Sequence, residues 1–391
     1  MTIATEVAAT PHLRSLGIPL PVVLVAIPVG FIVLGLVIRY LAYAAAVPDD
    51  SLGGFADGLC RWDCPWYVHI AERGYDPYPI PKMLGAGNWA FFPLMPMLVG
   101  VAHTLVPQPT VWVATVLSLA LSTLTALIAW PLLERNLRAY TLFSAYLLAG
   151  PFSIYFTTIY TEVLFILLST ATILMLERRN YVGAGVFAGL LSATRIVGVV
   201  MAFAMLVQAF VDHRTAGRPL ASFVPAVLKR PDIVLGLFLA PLGLALYIVF
   251  LQHWMGDGLA FLHVQRAWAR AYGNPVVFVW DALTTWPTGS IVPTAPQQLA
   301  AAVLVGFGLS GLLAWWRQWA AASFVVICMI IPLFAGMAST LRFTAALAPL
   351  AILACLLLGR NRVVFGLSLV VFLVADYFVT VNWIGGALSL V

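Results

Sequence analysis

The chain has 391 residues, of which 62% are hydrophobic and only 9% charged, with a mean hydropathy of +1.00. A soluble domain is about half apolar and a quarter charged, so this composition excludes an ordinary soluble protein and marks an all-α polytopic membrane protein, read as a single domain over 1–391. The formal charge of +5 then bears on orientation in the membrane, and nucleic acid is discarded as a partner.

The first apolar run, residues 19–45, is longer than a signal-peptide core and is followed by no small-residue cleavage site, so it reads as an uncleaved transmembrane helix. A more polar segment, 48–110, follows. Within it, "RWDCPWYVHIAERGY" predicts a short amphipathic helix with Pro65 near its start and Trp66, Tyr67 and Ile70 on its apolar face. Asp63 falls at the N-cap, where it either only caps the helix or presents a pre-aimed carboxylate. His69 is equally readable as a catalytic group or as an interfacial hydrogen-bonding one. The apolar stretch 88–106 is interrupted by prolines and predicts a re-entrant or surface-lying helix.

Ten further runs, at 111–133, 139–156, 160–176, 182–194, 196–211, 233–252, 298–316, 320–337, 342–359 and 363–387, bring the expectation to about eleven transmembrane helices. Glu162 stands at the edge of one of them, as an acceptor-binding group or as a paired buried acid. Arg195, in "SATRIVGVV", and Arg342, in "MASTLRFTAALAPL", each read singly as arginines reaching for head groups. Two of them on one side of the membrane suit the paired hydrogen bonds that grip a phosphate. The segment 253–297 contains "GDGLAFLHVQRAWAR", which predicts a basic amphipathic helix with Leu259, Leu262 and Trp268 on its apolar face and His263, Arg266 and Arg270 around it. Rest on anionic lipid would explain that helix as well.

With the N-terminus in the cytoplasm, basic residues recur after every second crossing: Arg14, Arg135, Arg138, Arg178, Arg179, Arg214, Arg218, Lys229, Arg230, Arg317, Arg360 and Arg362. Segments 48–110 and 253–297, which keep few basic residues (Lys82 among them), then lie outside the cytoplasm with Asp63. Cys60, Cys64, Cys328 and Cys355 do not make a zinc site, and no acid and histidine cluster has convincing ligand spacing, so neither metal nor cofactor is expected.

An extracytoplasmic carboxylate beside a phosphate grip fits transfer of a sugar from a lipid phosphate. Asp63 acts as general base, and Arg195, Arg342 and Arg266 bind the donor phosphate. Arg61, Trp62, Tyr67, His69, Glu162, His263 and Trp268 complete the candidate substrate-binding set. A lipid-linked sugar transporter or flippase would use the same arginines without needing Asp63 as a base.

"RWDCPWYVHIAERGY", "GNWAFFPLMPML", "FTTIYTEVLFILLS" and "ERRNYVGAGVFAGLLSATRIVGVV", in that order, resemble the PIG-V-type GPI mannosyltransferases, most strongly over 55–205. The resemblance implies a GT-C glycosyltransferase fold and inverting transfer of mannose from a dolichyl or polyprenyl phosphate outside the cytoplasm, forming an α-linkage with Asp63 as base. Another lipid-phosphate sugar, such as glucose or aminoarabinose, is the alternative within the same fold. Eukaryotic members act on the GPI anchor precursor with a small partner subunit, and no feature here requires one. The compact outer loops and Ala/Val/Gly-rich composition look bacterial, which places the chain in a plasma membrane and leaves the acceptor as a lipid or a glycan. Two departures stand out. Ile196 replaces the family's polar residue after Arg195, and Cys64 replaces its small residue after the Trp-Asp pair, which permits a Cys60–Cys64 disulfide in an oxidising compartment.

Overall fold

A computed structural model describes residues 19–47, 52–80, 85–268, 272–285 and 295–387; Arg14, Lys82 and Arg270 lie outside the described residues. Among the described residues every regular element is helical, with one isolated bridge between Ile80 and Ala86. The chain opens with α1 (Leu20–Ala46), α2 (Leu52–Leu59), α3 (Cys64–Arg73) and α4 (Leu94–Leu105). The bundle continues through α5 (Thr110–Ala129), α6 (Leu137–Leu148), α7 (Ser153–Thr157), α8 (Glu162–Glu177) and α9 (Tyr181–Ser192). A 3-10 turn (Ile196–Val200) leads into α10 (Met201–Thr215), followed by α11 (Phe223–Leu228), α12 (Pro231–Leu239), α13 (Leu242–Met255) and α14 (Ala260–His263). The last elements are α15 (Pro275–Thr284), α16 (Ala295–Trp315), α17 (Trp319–Leu333), α18 (Thr340–Ala345), α19 (Ala348–Leu358) and α20 (Arg362–Ile384).

Among the described residues five spans are long and apolar enough to cross a bilayer: α1, α5, Ile196–Thr215, α16 and α20. The α12 and α13 pair, bent by 40° ahead of Leu242, makes a sixth if counted as one span. Other predicted crossings form shorter helices such as α6, α8, α9, α17 and α19, of 12, 16, 12, 15 and 11 residues. At about 1.5 Å per residue these cover roughly 16–24 Å, less than a hydrocarbon core of about 30 Å. Helices α6, α8 and α19 occupy the interior, whereas α9 and α17 keep exposed apolar residues, Val186 and Leu190 on one and Trp319 and Ile331 on the other. Helix α8 is buried along nearly its whole length, and its Ser169, Thr170 and Thr172 hydroxyls donate to carbonyls of its own preceding turn. By contrast, α1 and α20 turn Val22, Val25, Val29 and Val33, and Leu367, Val370, Val371 and Phe378, outward. Apolar faces this continuous are stable only against lipid, and the chain is an integral membrane protein.

Connectivity sorts the bundle into two ends. Helix α5 starts beside α3, where Thr110 donates to Glu72 at 2.6 Å. Its 20 residues carry the chain away from Asp63 to the turn at Asn136. Helix α8 leaves the Asp63 end at Glu162, and α9 returns to Arg195. At the far end Asn136, Asn180 and Asn361 each follow an arginine and accept backbone N–H bonds to start α6, α9 and α20. The basic turns there touch one another: Arg179 lies 2.8 Å from Asp212, the Arg230 guanidinium 5.4 Å over the Tyr181 ring, and that of Arg360 5.0 Å over Trp316.

Within residues 88–106, Asn88–Ala90 form a 3-10 turn and Leu94–Leu105 the 12-residue helix α4, too short to cross, with Met95, Pro96 and Val99 buried and Met97, Val101 and Leu105 exposed. The helix predicted at 256–270 differs from expectation. Gly256 ends α13 at φ 77° and the Asp257 carboxylate accepts from the Leu259 amide, so the next helix starts only at Ala260. The buried face is therefore Ala260, Phe261 and Val264, and Leu259 points outward.

Candidate active site

Asp63 opens α3 with helical φ and ψ, yet its side chain makes no capping bond. The capping role that the sequence allowed is not taken up. Oδ2 instead accepts from Nη1 of Arg342 at 2.6 Å. The turn that aims it is strained, because Trp62 has φ 57°, a conformation costing a bulky residue about 1–2 kcal/mol. Its surroundings enforce it. A Cys60–Cys64 disulfide closes the turn, and Trp383 Nε1 donates to the Leu59 carbonyl at 3.0 Å. The Tyr160 hydroxyl donates to the Arg61 carbonyl at 2.7 Å and accepts from the Asp63 amide at 3.2 Å.

Arg342 comes from α18, a short helix that starts after Ser339 at φ 64°. Its Nε lies 2.9 Å from Oε1 of Glu162 but out of line for a hydrogen bond, so this contact is an ion pair. Glu162 opens α8, is fully buried, and through the same Oε1 accepts from Arg195 Nη2. Arg195 sits in extended backbone at the break after α9, and its Nε donates to Thr161 Oγ1 at 3.0 Å. Phe343 packs its ring 4.5 Å from the Arg195 guanidinium and 5.4 Å from that of Arg342. The result is a chain of alternating charge: Asp63, Arg342, Glu162, Arg195. Two carboxylates balance two guanidiniums, which is what ions withdrawn from water require. Asp63, 20% exposed, is the most open of the four, and Glu162 is the buried anchor.

Tyr67, on the buried face of α3, stands 6.1 Å from the Tyr160 ring. Burial, reinforced by the charges of Asp63 and Glu162, pushes its phenol well above the ordinary range, so it stays a neutral donor. Trp66 stacks on Phe91 at 5.6 Å and meets Trp268 edge-on at 6.0 Å, which brings the segment after α14 against α3.

The structure thus joins Asp63, Glu162, Arg195 and Arg342 in one network, with Trp62 and Tyr67 beside it and Trp268 against α3. It does not join the rest of the predicted set. His69 pairs with Asp76 at 3.1 Å and exposed His263 with Asp257 at 2.7 Å. Arg61 and Arg266 expose their side chains and make no ion pair among the described residues.

Tyr160, Thr161 and Phe343 were not singled out by sequence, although each lies within two residues of a charged candidate. A second buried pair was also missed. Arg39 on α1 donates to Ser153 at 2.8 Å and to the Leu148 carbonyl at 3.1 Å, and lies 3.4 Å from Asp376 on α20. Ser153 in turn donates to Asp376 at 2.8 Å. The available signal was an ionisable residue inside each of two long apolar runs.

No group of three or more His, Cys, Asp or Glu side chains able to hold a metal ion occurs among the described residues. The model of the Mannosyltransferase (PIG-V) family matches residues 38–255, more than half of the chain, including Asp63, Glu162 and Arg195 but not Arg342. No curated protein matches the chain.

Proposed function

The chain belongs to the PIG-V mannosyltransferase family and is a glycosyltransferase, and we propose that it moves mannose from a polyprenyl-phosphate carrier to a hydroxyl of a lipid or glycan acceptor. The observation that carries this reading is the contact of Asp63 with Arg342, linked through Glu162 to Arg195. Guanidinium binds phosphate through the same paired hydrogen bonds it offers a carboxylate. A donor phosphate entering beside Arg342 and Arg195 takes Asp63's place on Arg342 and leaves that carboxylate free to accept a proton. The acceptor oxygen, losing its proton to Asp63, bonds to the anomeric carbon. The carbon–oxygen bond to phosphate breaks, and its electron pair leaves with the phosphate, where the two guanidiniums stabilise the added charge. Attack opposite the leaving group inverts the centre and gives an α-mannoside. The Trp62 indole and the Tyr67 phenol flank the sugar.

In this proposal the fold is a GT-C bundle of about eleven crossings, with the short interior helices inside a shell of full-length spans. The Asp63 end faces outside a bacterial plasma membrane. Two features support that side: the basic turns gather at the opposite end, and a disulfide beside Asp63 suits an oxidising compartment. In this proposal the reaction uses no metal.

The test is a transfer assay in detergent with radiolabelled polyprenyl-phosphate mannose and a lipid and glycan extract of the host, run with and without EDTA. Labelled α-mannoside formed equally in both supports the proposal. Product formed only from polyprenyl-phosphate glucose would overturn the choice of sugar, and loss in EDTA reversed by a divalent ion would overturn the metal-free mechanism.

A further inference from the structure

The disulfide that joins Cys60 to Cys64 encloses both the strained Trp62 and Asp63. The carboxylate makes no bond to its own helix, so the direction in which it points is set by this turn and by its bond to Arg342. Cys64 is anchored, only 1% exposed within the core that holds Tyr67 and Ile70, while Cys60 lies nearer the surface at the end of the α2 connection. Other constraints reach the turn: the two bonds of the Tyr160 hydroxyl, the Trp383 bond to Leu59 and, within the turn, the Cys64 amide donating to the Arg61 carbonyl at 3.0 Å. All of these hold backbone, and the disulfide is the covalent tie between the two ends of the turn. Arg342, Glu162 and Arg195 stand on α18, α8 and the break after α9, outside this ring. Besides the bond from Arg342 to Asp63, these groups are held by Thr161, by Phe343 and by one another, so they stay assembled when the turn loosens.

We propose that the Cys60–Cys64 disulfide is a positioning device for the base: closed, it aims Asp63 at the acceptor hydroxyl, and opened, it slows transfer while leaving donor binding intact. This rests on the reading of Asp63 as the base. Opening is a two-electron exchange in which a dithiol such as dithiothreitol gives two protons and two electrons to the bond, Cys60 and Cys64 become thiols, and the reagent closes to its own disulfide. Cys328 and Cys355 are buried and unpaired, so this is the bond such treatment would break among the described cysteines.

The experiment compares oxidised, dithiothreitol-reduced and reoxidised protein, with alkylation and peptide mapping to establish the state of Cys60 and Cys64. The expected result is a kcat at least tenfold lower in the reduced protein, a Kd for polyprenyl-phosphate mannose within twofold, and recovery on reoxidation. A Cys60→Ser/Cys64→Ser variant should match the reduced protein and ignore the reductant. Wild-type kcat with both thiols alkylated, or equal losses in kcat and donor affinity, would overturn the proposal. Amide hydrogen exchange over residues 59–66 provides a readout without substrate: faster exchange on reduction is expected, and unchanged exchange would overturn the brace. Should the oxidised protein transfer no mannose, the reading of the reaction has failed, and the exchange comparison alone then decides for or against the disulfide's role.

Discussion

Glu162 has no exposed surface and sits between two guanidiniums, so its charge offsets the repulsion between Arg195 and Arg342 at close range inside the bundle. Glu162→Gln removes that charge while preserving shape, and removal of one partner from a buried ion pair costs about 3–5 kcal/mol. A marked fall in the thermal midpoint in detergent, with weaker donor binding, is expected; an unchanged midpoint would show that the arginines do not depend on it. Sequence alone identified this residue and its chemistry but left open whether it was paired. The same limit applied to Asp63, whose partner lies 279 positions away, a distance that no local pattern can bridge. His69 and His263 were chosen for their type, and each instead meets an acid nearby in the chain, Asp76 seven residues on and Asp257 six residues back. Tyr160 was passed over because its hydroxyl acts at long range, on backbone groups of residues 61 and 63.

At the scale of elements, the site is assembled from interruptions. The run 139–156 divides at residues 149–152 into α6 and α7, the run 342–359 divides after Ala345 into α18 and α19, and Arg195 occupies the break between α9 and the next turn. Hydropathy reports how long a stretch stays apolar and is blind to such breaks, which is why the expected crossings outnumber the spans of full length. Irregular backbone at membrane depth is tolerated only where protein surrounds it, and here it delivers the charged side chains. Helix α9 must also lie close to α12 to place Arg195. A methyl group on Gly185 would come within 2.4 Å of the Gly236 carbonyl, backbone that cannot step aside. Gly185→Ala should therefore cost about 1–3 kcal/mol, read as a lower thermal midpoint together with reduced transfer, whereas wild-type values in both would mean that the two helices can separate freely.

For the whole molecule, the first and last long helices are laced together by Arg39, Ser153 and Asp376 beneath the α6 to α7 break. A double-mutant cycle of Arg39→Met and Asp376→Leu should show each single change destabilising and the pair less so than their sum, with a coupling of about 0.5–3 kcal/mol. Strict additivity would mean that the lacing contributes nothing. The membrane class and the ends of the bundle were legible because composition and charge period are global properties, whereas the lacing was hidden by its position in runs read only for length. All of this architecture converges on one carboxylate. The most direct measurement is single-turnover mannose transfer by wild type and Asp63→Asn, with donor affinity determined on the same preparations. The account predicts a rate loss of about 10²–10⁴-fold with donor binding retained. Transfer at the wild-type rate by Asp63→Asn would contradict it.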